Sequence, residues 1–202
     1  MGADVVDQDV PLKPGAADAA AGASYRPITL LPTEYRILTK VLAARFAAAM
    51  SPAIGPEQSA YLPDRRIEAG ILFSTLLHSA LLAEGACGAV VFTDIAKAFD
   101  SVDRSFIFEA MPVLGATDGM VAWARLLLTD TYASVHANGV ESRPLLWLSG
   151  VRQGCPLSPL LYLFVAQALA SHLRAQPELG LTIAGHRHVS DHYADDARVL
   201  VD

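Results

Sequence analysis

A chain of 202 residues, 52% hydrophobic and 18% charged, is sized for one domain or one domain plus an appendage, with ample apolar material for a core. Its net charge of −6 argues against a broad basic grip on nucleic acid and leaves room for one that is local or that lies on a part of the protein outside this chain. Two distant cysteines, Cys87 and Cys155, exclude a disulfide framework or a C-x-x-C zinc site and imply a reducing, intracellular setting; the first residues show no secretory signal, and residues 160–170, read as the longest kind of apolar stretch, are too short to span a bilayer.

Residues 1–24, rich in Ala, Gly, Asp and Pro without a sustained period, read as a flexible lead. Residues 33–50 are predicted as a helix capped by Thr33, with Tyr35, Leu38, Val41, Leu42 and Phe46 at helical spacing. Pro52, Gly55, Pro56 and Pro63 mark residues 51–64 as a loop, and residues 65–83 read as a second helix stopped by Gly85 and Gly88. The apolar run 89–92 is expected to be a buried strand whose end delivers Asp94. Helices follow over 103–114 and 118–128, each opened by a capping aspartate. Residues 132–137 and 145–148 are strand-like, with a hairpin-turn signal at Asn138-Gly139. Pro156 or Pro159 starts a long apolar helix reaching about Ala175. Short strands over 181–184 and 189–193 precede a turn at Ala194-Asp195-Asp196 and a return strand over 197–201. Helices and strands that mix without regular alternation point to an α+β fold, an antiparallel sheet backed by helices.

Three strings carry chemistry. They are Phe92-Thr93-Asp94-Ile95-Ala96-Lys97-Ala98-Phe99-Asp100, then Gly150-Val151-Arg152-Gln153-Gly154-Cys155-Pro156-Leu157-Ser158-Pro159, then Tyr193-Ala194-Asp195-Asp196. Read singly they are bland, because an Asp pair in a turn is usually solvated and an Asp after a strand is often a helix cap. In this order, and with Tyr25-Arg26-Pro27-Ile28-Thr29-Leu30-Leu31 before them, they resemble the reverse transcriptases of non-LTR (LINE-type) retrotransposons. The resemblance runs from about Tyr25 to the last residue, which makes residues 25–202 a domain of partial fingers and palm and residues 1–24 a degenerate fingers segment that includes Lys13.

The resemblance implies a polymerase palm in which Asp94, Asp195 and Asp196 are the catalytic metal ligands, Asp196 the less essential of the pair. Two Mg²⁺ ions, with Mn²⁺ as a substitute, are the implied cofactors, and carboxylates suit them because magnesium prefers hard oxygen ligands. Phe99, Gln153, Gly154 and Arg26 are the implied nucleotide-site residues. Phe99 excludes a 2′-hydroxyl or is simply a core residue, Gln153-Gly154 lies against the nucleotide, and Arg26 lies along the triphosphate. Asp100 orders the loop, and Arg152 either touches template or nucleotide or is a surface loop charge. The implied partners are an RNA template, a DNA primer and deoxynucleoside triphosphates, without a membrane and with no oligomeric state specified. Relatives carry Asp191 and His192 as apolar residues, so this strand departs from the pattern. The expectation is a fragment with the thumb absent, a ragged edge on its last strand and weak or no polymerisation as an isolated chain. The rival readings are a non-catalytic retrotransposon remnant that at most binds nucleic acid or a partner, and an intron-encoded maturase.

Overall fold

The computed structural model of the chain describes residues 4–6, 29–85, 87–137 and 139–202. Arg26, Lys13 and Asn138 lie outside the described residues, as does most of the lead. Within that lead, however, Asp4–Val6 forms a short strand, β1.

Helix α1, Thr33–Met50, buries Thr39, Leu42, Phe46 and Met50. The i, i+3, i+4 stripe is real but rotated from the expected one, since Leu38 and Val41 face outward. Pro32 occupies the cap position in place of Thr33, which begins the helix. Helix α2 is Ile67–Glu84, ended by Gly85 at φ 65°, a left-handed cap that glycine adopts without a Cβ clash. Arg65, expected inside this helix, stands before it and donates to the carbonyls of Ser51, Ile54, Gly55 and Gln58, closing the loop on itself.

Strand β2, Ala89–Thr93, forms as expected but is exposed along its whole length. The short α3, Ala98–Ser101, then α4, Arg104–Val113, and α5, Asp118–Leu128, follow. Asp103 caps α4 by accepting from the Ser105 amide at 2.8 Å. In α5 the cap is Thr117, with Asp118 already in the first turn, where its charge suits the helix dipole. Strand β3, Tyr132–Ala137, pairs antiparallel with β4, Val140–Glu141, and with β5, Leu145–Leu146. Strand β1 adds in parallel to β3, so this sheet is mixed, not purely antiparallel.

Helix α6, Ser158–Ala175, has proline in its first turn. Leu160, Leu161, Tyr162, Leu163 and Phe164 are all buried, so the apolar first half of the helix is enclosed on every side, while its polar last turns are exposed. Around it α1, α4 and α5 contribute Phe46, Ile107, Met111 and Leu128 to one core. Strands β6, Leu181–Ile183, and β7, His186–His188, make a small hairpin; β7 was not foreseen.

Strands β8, Ser190–Tyr193, and β9, Asp196–Val201, complete a three-stranded antiparallel sheet in the order β2-β9-β8. The last strand is therefore the middle one, not a ragged edge. The open edge belongs to β2, where Phe92 is 76% exposed. A continuous apolar run signals a strand, but only the sheet order decides whether it is covered.

Helix α2 also corrects the reading of apolar length. It is the one helix among the described residues long and apolar enough to cross a membrane, by length and composition alone, with a mean hydropathy of 1.3 and 11% of it buried. One side of it rests on β8 and β9: Arg198 donates to the Gly70 carbonyl at 3.1 Å and to Ser74, and pairs with Asp191. A Cβ on Gly70 would come within 2.8 Å of that guanidinium.

Candidate active site

Strand β2 ends at Thr93, opposite Ala197 of β9, so Asp94 is carried off the end of the sheet. The β8–β9 hairpin closes through Tyr193 paired with Asp196, leaving Ala194 and Asp195 as the two turn residues. The expected turn was one residue longer; Asp196 is the first residue of the return strand. Extending the β2–β9 register by one step sets Asp94 across from Asp196, with Asp195 just beyond. The three aspartates thus share one end of one sheet.

Their charges feel each other. Burial raises the Asp195 pKa above the ordinary carboxylate value, and the neighbouring charges of Asp196 and Asp94 raise it further. Tyr162, buried in α6, is pushed up to about 12 by burial and then by Asp195 and Asp196. Hard carboxylate oxygens gathered at one end of a sheet fit a divalent cation, which would offset their mutual repulsion. Among the described residues no three acidic, histidine or cysteine side chains lie close enough together to hold an ion as they stand.

Beneath the carboxylates, the ring of Phe99 in α3 stacks on Tyr162 with centroids 4.5 Å apart. Phe99 is half-buried, so it belongs to the core on one side and faces outward on the other. The Asp100 carboxylate accepts from Gln153 Nε2 at 3.0 and 3.2 Å, which fixes the Gln153 side chain against α3. Gly154 has φ 96°, and a Cβ added there would lie 3.4 Å from the Thr29 carbonyl oxygen. Arg152 is neither a surface charge nor open to solvent: it is buried, with its guanidinium 5.2 Å over the Tyr35 ring.

Gly150 joins this loop to the Asp94 segment. Its amide donates to Val102 at 2.7 Å, and the next amide, Val151, donates to Phe99 at 2.8 Å. With φ 73°, an added Cβ would lie 2.5 Å from the Asp100 carbonyl oxygen. Gly150→Ala is expected to cost roughly 2–4 kcal/mol, from left-handed strain plus overpacking against backbone, and urea unfolding measures it.

The model of the reverse transcriptase (RNA-dependent DNA polymerase) family matches residues 13–202. The chain belongs to the reverse transcriptase family. It is 32% identical over 197 residues to the transposon TX1 uncharacterized 149 kDa protein of Xenopus laevis, covering 95% of this chain and 15% of that one. It is 31% identical over 195 residues to the retrovirus-related Pol polyprotein from the type-1 retrotransposable element R2 of Popillia japonica, covering 95% of this chain and 27% of that one. The chain therefore spans well under a third of these relatives. Among solved structures, an apo telomerase from Candida tropicalis truncated from its C-terminal domain matches 88% of this chain and 41% of its own, with TM-score 0.56 and 11% identity, which supports the fold.

Several residues of this reverse transcriptase domain were not foreseen. Buried Gln58, in the loop after α1, hydrogen-bonds the Ala194 turn. Buried Arg104 gathers five acceptors around the Gly150 loop. The second had a visible signal, because Arg104 stands on the same stripe as Ile107, Phe108 and Met111, where an exposed charge does not belong. The first had none, since a lone glutamine in a proline-rich loop predicts nothing.

Asp195 also makes a stability prediction. It binds its proton more tightly folded than unfolded, so stability falls as pH rises from just below the ordinary value of 3.8 through the raised folded value. Asp195→Asn, which cannot ionise, is expected to melt at or above the native sequence at pH 7 without divalent ions, and the difference is expected to vanish near pH 3. A clearly lower melting temperature for the variant at pH 7 would contradict this.

Proposed function

We propose that this chain is the partial-fingers and palm portion of a non-LTR retrotransposon reverse transcriptase that adds deoxynucleotides to a primer 3′-hydroxyl on an RNA template. The observation that carries it is the convergence of Asp94, Asp195 and Asp196 at one end of an antiparallel sheet, on a chain whose family match runs nearly end to end.

Asp94 and Asp195 are the residues that would hold two Mg²⁺ ions, with Asp196 as the weaker contributor and Mn²⁺ as a substitute. When bound, such ions supply activation of the attacking hydroxyl and stabilisation of the pyrophosphate leaving group. The chain's own residues supply position. Phe99, propped by Tyr162, presents a rigid ring where a sugar carrying a 2′-hydroxyl would collide. Gln153, held by Asp100, and Gly154, without a Cβ, shape the opposite wall and let a nucleotide approach backbone. Arg26 is assigned to the triphosphate, for which a guanidinium fork is suited. Both cysteines are free, in keeping with an intracellular setting.

Single-nucleotide addition to a DNA primer annealed to RNA, with Mg²⁺ and with Asp94→Asn and Asp195→Asn as controls, tests the reading. The open spacing of the three carboxylates is the observation on the side of a non-catalytic remnant; absence of saturable Mn²⁺ binding would favour that alternative.

A further inference from the structure

We propose that Gln58 is a positioning residue that fixes the Ala194-Asp195 turn and so the placement of Asp195, an inference that rests on the assignment of Asp195 as a metal ligand. Ala194 has φ 58°, a conformation that residues with a Cβ seldom adopt and that costs free energy unless its surroundings impose it. The surroundings that impose it are the carboxamide of Gln58. Its Oε1 accepts from the Ala194 amide at 2.9 Å and from the Ala60 amide at 3.1 Å, while its Nε2 donates to the Ala194 carbonyl at 3.2 Å. Reversing the amide would set an NH₂ group against two N–H donors, so one orientation alone satisfies the set.

Gln58 is 3% exposed and Ala194 is 5% exposed. These bonds are shielded from bulk water, and loss of the carboxamide takes the partner from two buried donors and one buried acceptor. The base of the clamp is itself fixed. Ser59 donates to the His192 carbonyl at 2.9 Å, and His192 donates to the Glu57 carbonyl at 2.8 Å, so the loop makes a single parallel β-bridge to β8. Arg65 donates to the Gln58 carbonyl at 2.8 Å from the other side. A side chain anchored at its backbone, with two of its three hydrogen bonds on one strained turn, acts on what that turn carries, which is Asp195.

Residues that orient metal ligands typically cost about 10–100-fold in metal affinity when removed. The test is Mn²⁺ titration of the full chain by electron paramagnetic resonance, which reads binding without turnover, alongside near-ultraviolet circular dichroism and melting. Gln58→Ala is expected to weaken Mn²⁺ binding at least about 10-fold. Gln58→Glu, which keeps the acceptor and loses the donor, is expected to fall between it and the native sequence. Leu62→Ala, at a buried residue of the same loop whose side chain takes part in none of the three Gln58 bonds, is expected to lower the melting temperature and leave Mn²⁺ affinity unchanged. The proposal is overturned if folded Gln58→Ala binds Mn²⁺ within twofold of the native sequence, or if Leu62→Ala weakens binding equally. Should Gln58→Ala not fold, native-like binding by Gln58→Glu overturns it. Asp195→Asn separates the two levels: unchanged Mn²⁺ binding there sinks the metal assignment, whereas loss there with none at Gln58 sinks only the clamp.

Discussion

Asp195→Asn is expected to reduce single-nucleotide addition by on the order of 10³-fold or more, about 4 kcal/mol of transition-state stabilisation, while leaving the fold intact. The substitution is isosteric and removes one formal charge from a turn where burial and two neighbouring carboxylates already oppose ionisation. Folding does not need that charge, and divalent-cation chemistry does. Asp94→Asn is expected to behave alike, because β2 carries Asp94 to the same end of the sheet. Asp196→Asn is expected to lose less: its carboxylate is exposed and stands at the start of β9, not in the turn. Primer extension on an RNA template, read as the rate of first addition with saturating Mg²⁺, ranks the three. Equal rates for the native sequence and Asp195→Asn would end the assignment of this hairpin as the catalytic one.

Arg104→Met is expected to destabilise the domain by roughly 3–5 kcal/mol, a shift in melting temperature on the order of 10 °C for a chain of this size. The guanidinium donates to Gly150 at 2.9 Å, Thr131 at 3.0 Å, Trp147 at 2.7 Å and Ser149 at 3.4 Å, and also to Leu128. Methionine keeps the apolar stem and strips every donor, so the buried carbonyls of Leu128 and Gly150, on two separate segments, lose their guanidinium partner. Burial and the nearby Arg152 charge lower the Arg104 pKa, yet a guanidinium stays protonated at any working pH, so the loss is one of geometry and not of titration. Arg104→Lys is expected to recover only part of the stability, because an ammonium has three donors and no planar fork. The cost should also reach function, since the Gly150 carbonyl that Arg104 holds lies three residues before Gln153. A variant that unfolds in urea at the same midpoint as the native sequence would show the network to be dispensable.

Element identity was largely legible from local rules. Residues 33–50, 118–128 and 132–137 were bounded in advance by periodicity, although the caps of both helices lie one residue earlier than expected, and α6 was marked by its proline start. The errors lay where a neighbour decides. Arg65 read as the start of a helix, but four loop carbonyls claim it. Asp191 and His192 stood out against the apolar pattern of relatives; Asp191 is absorbed by an ion pair with Arg198, and His192 by burial beside Ser190.

By itself the sequence determined the family, the chemistry-bearing residue types and their order along the chain, because motif strings, capping residues and glycine positions are local properties that need no partner to be read. Tertiary structure alone decided that β9 lies between β2 and β8, that β2 is the open edge, and that Gln58 and Arg104 serve residues far along the chain. Strand order, burial and long-range hydrogen bonds depend on which surfaces meet after the chain closes, and a side chain's neighbour across that closure leaves no periodic trace in the segment that carries it.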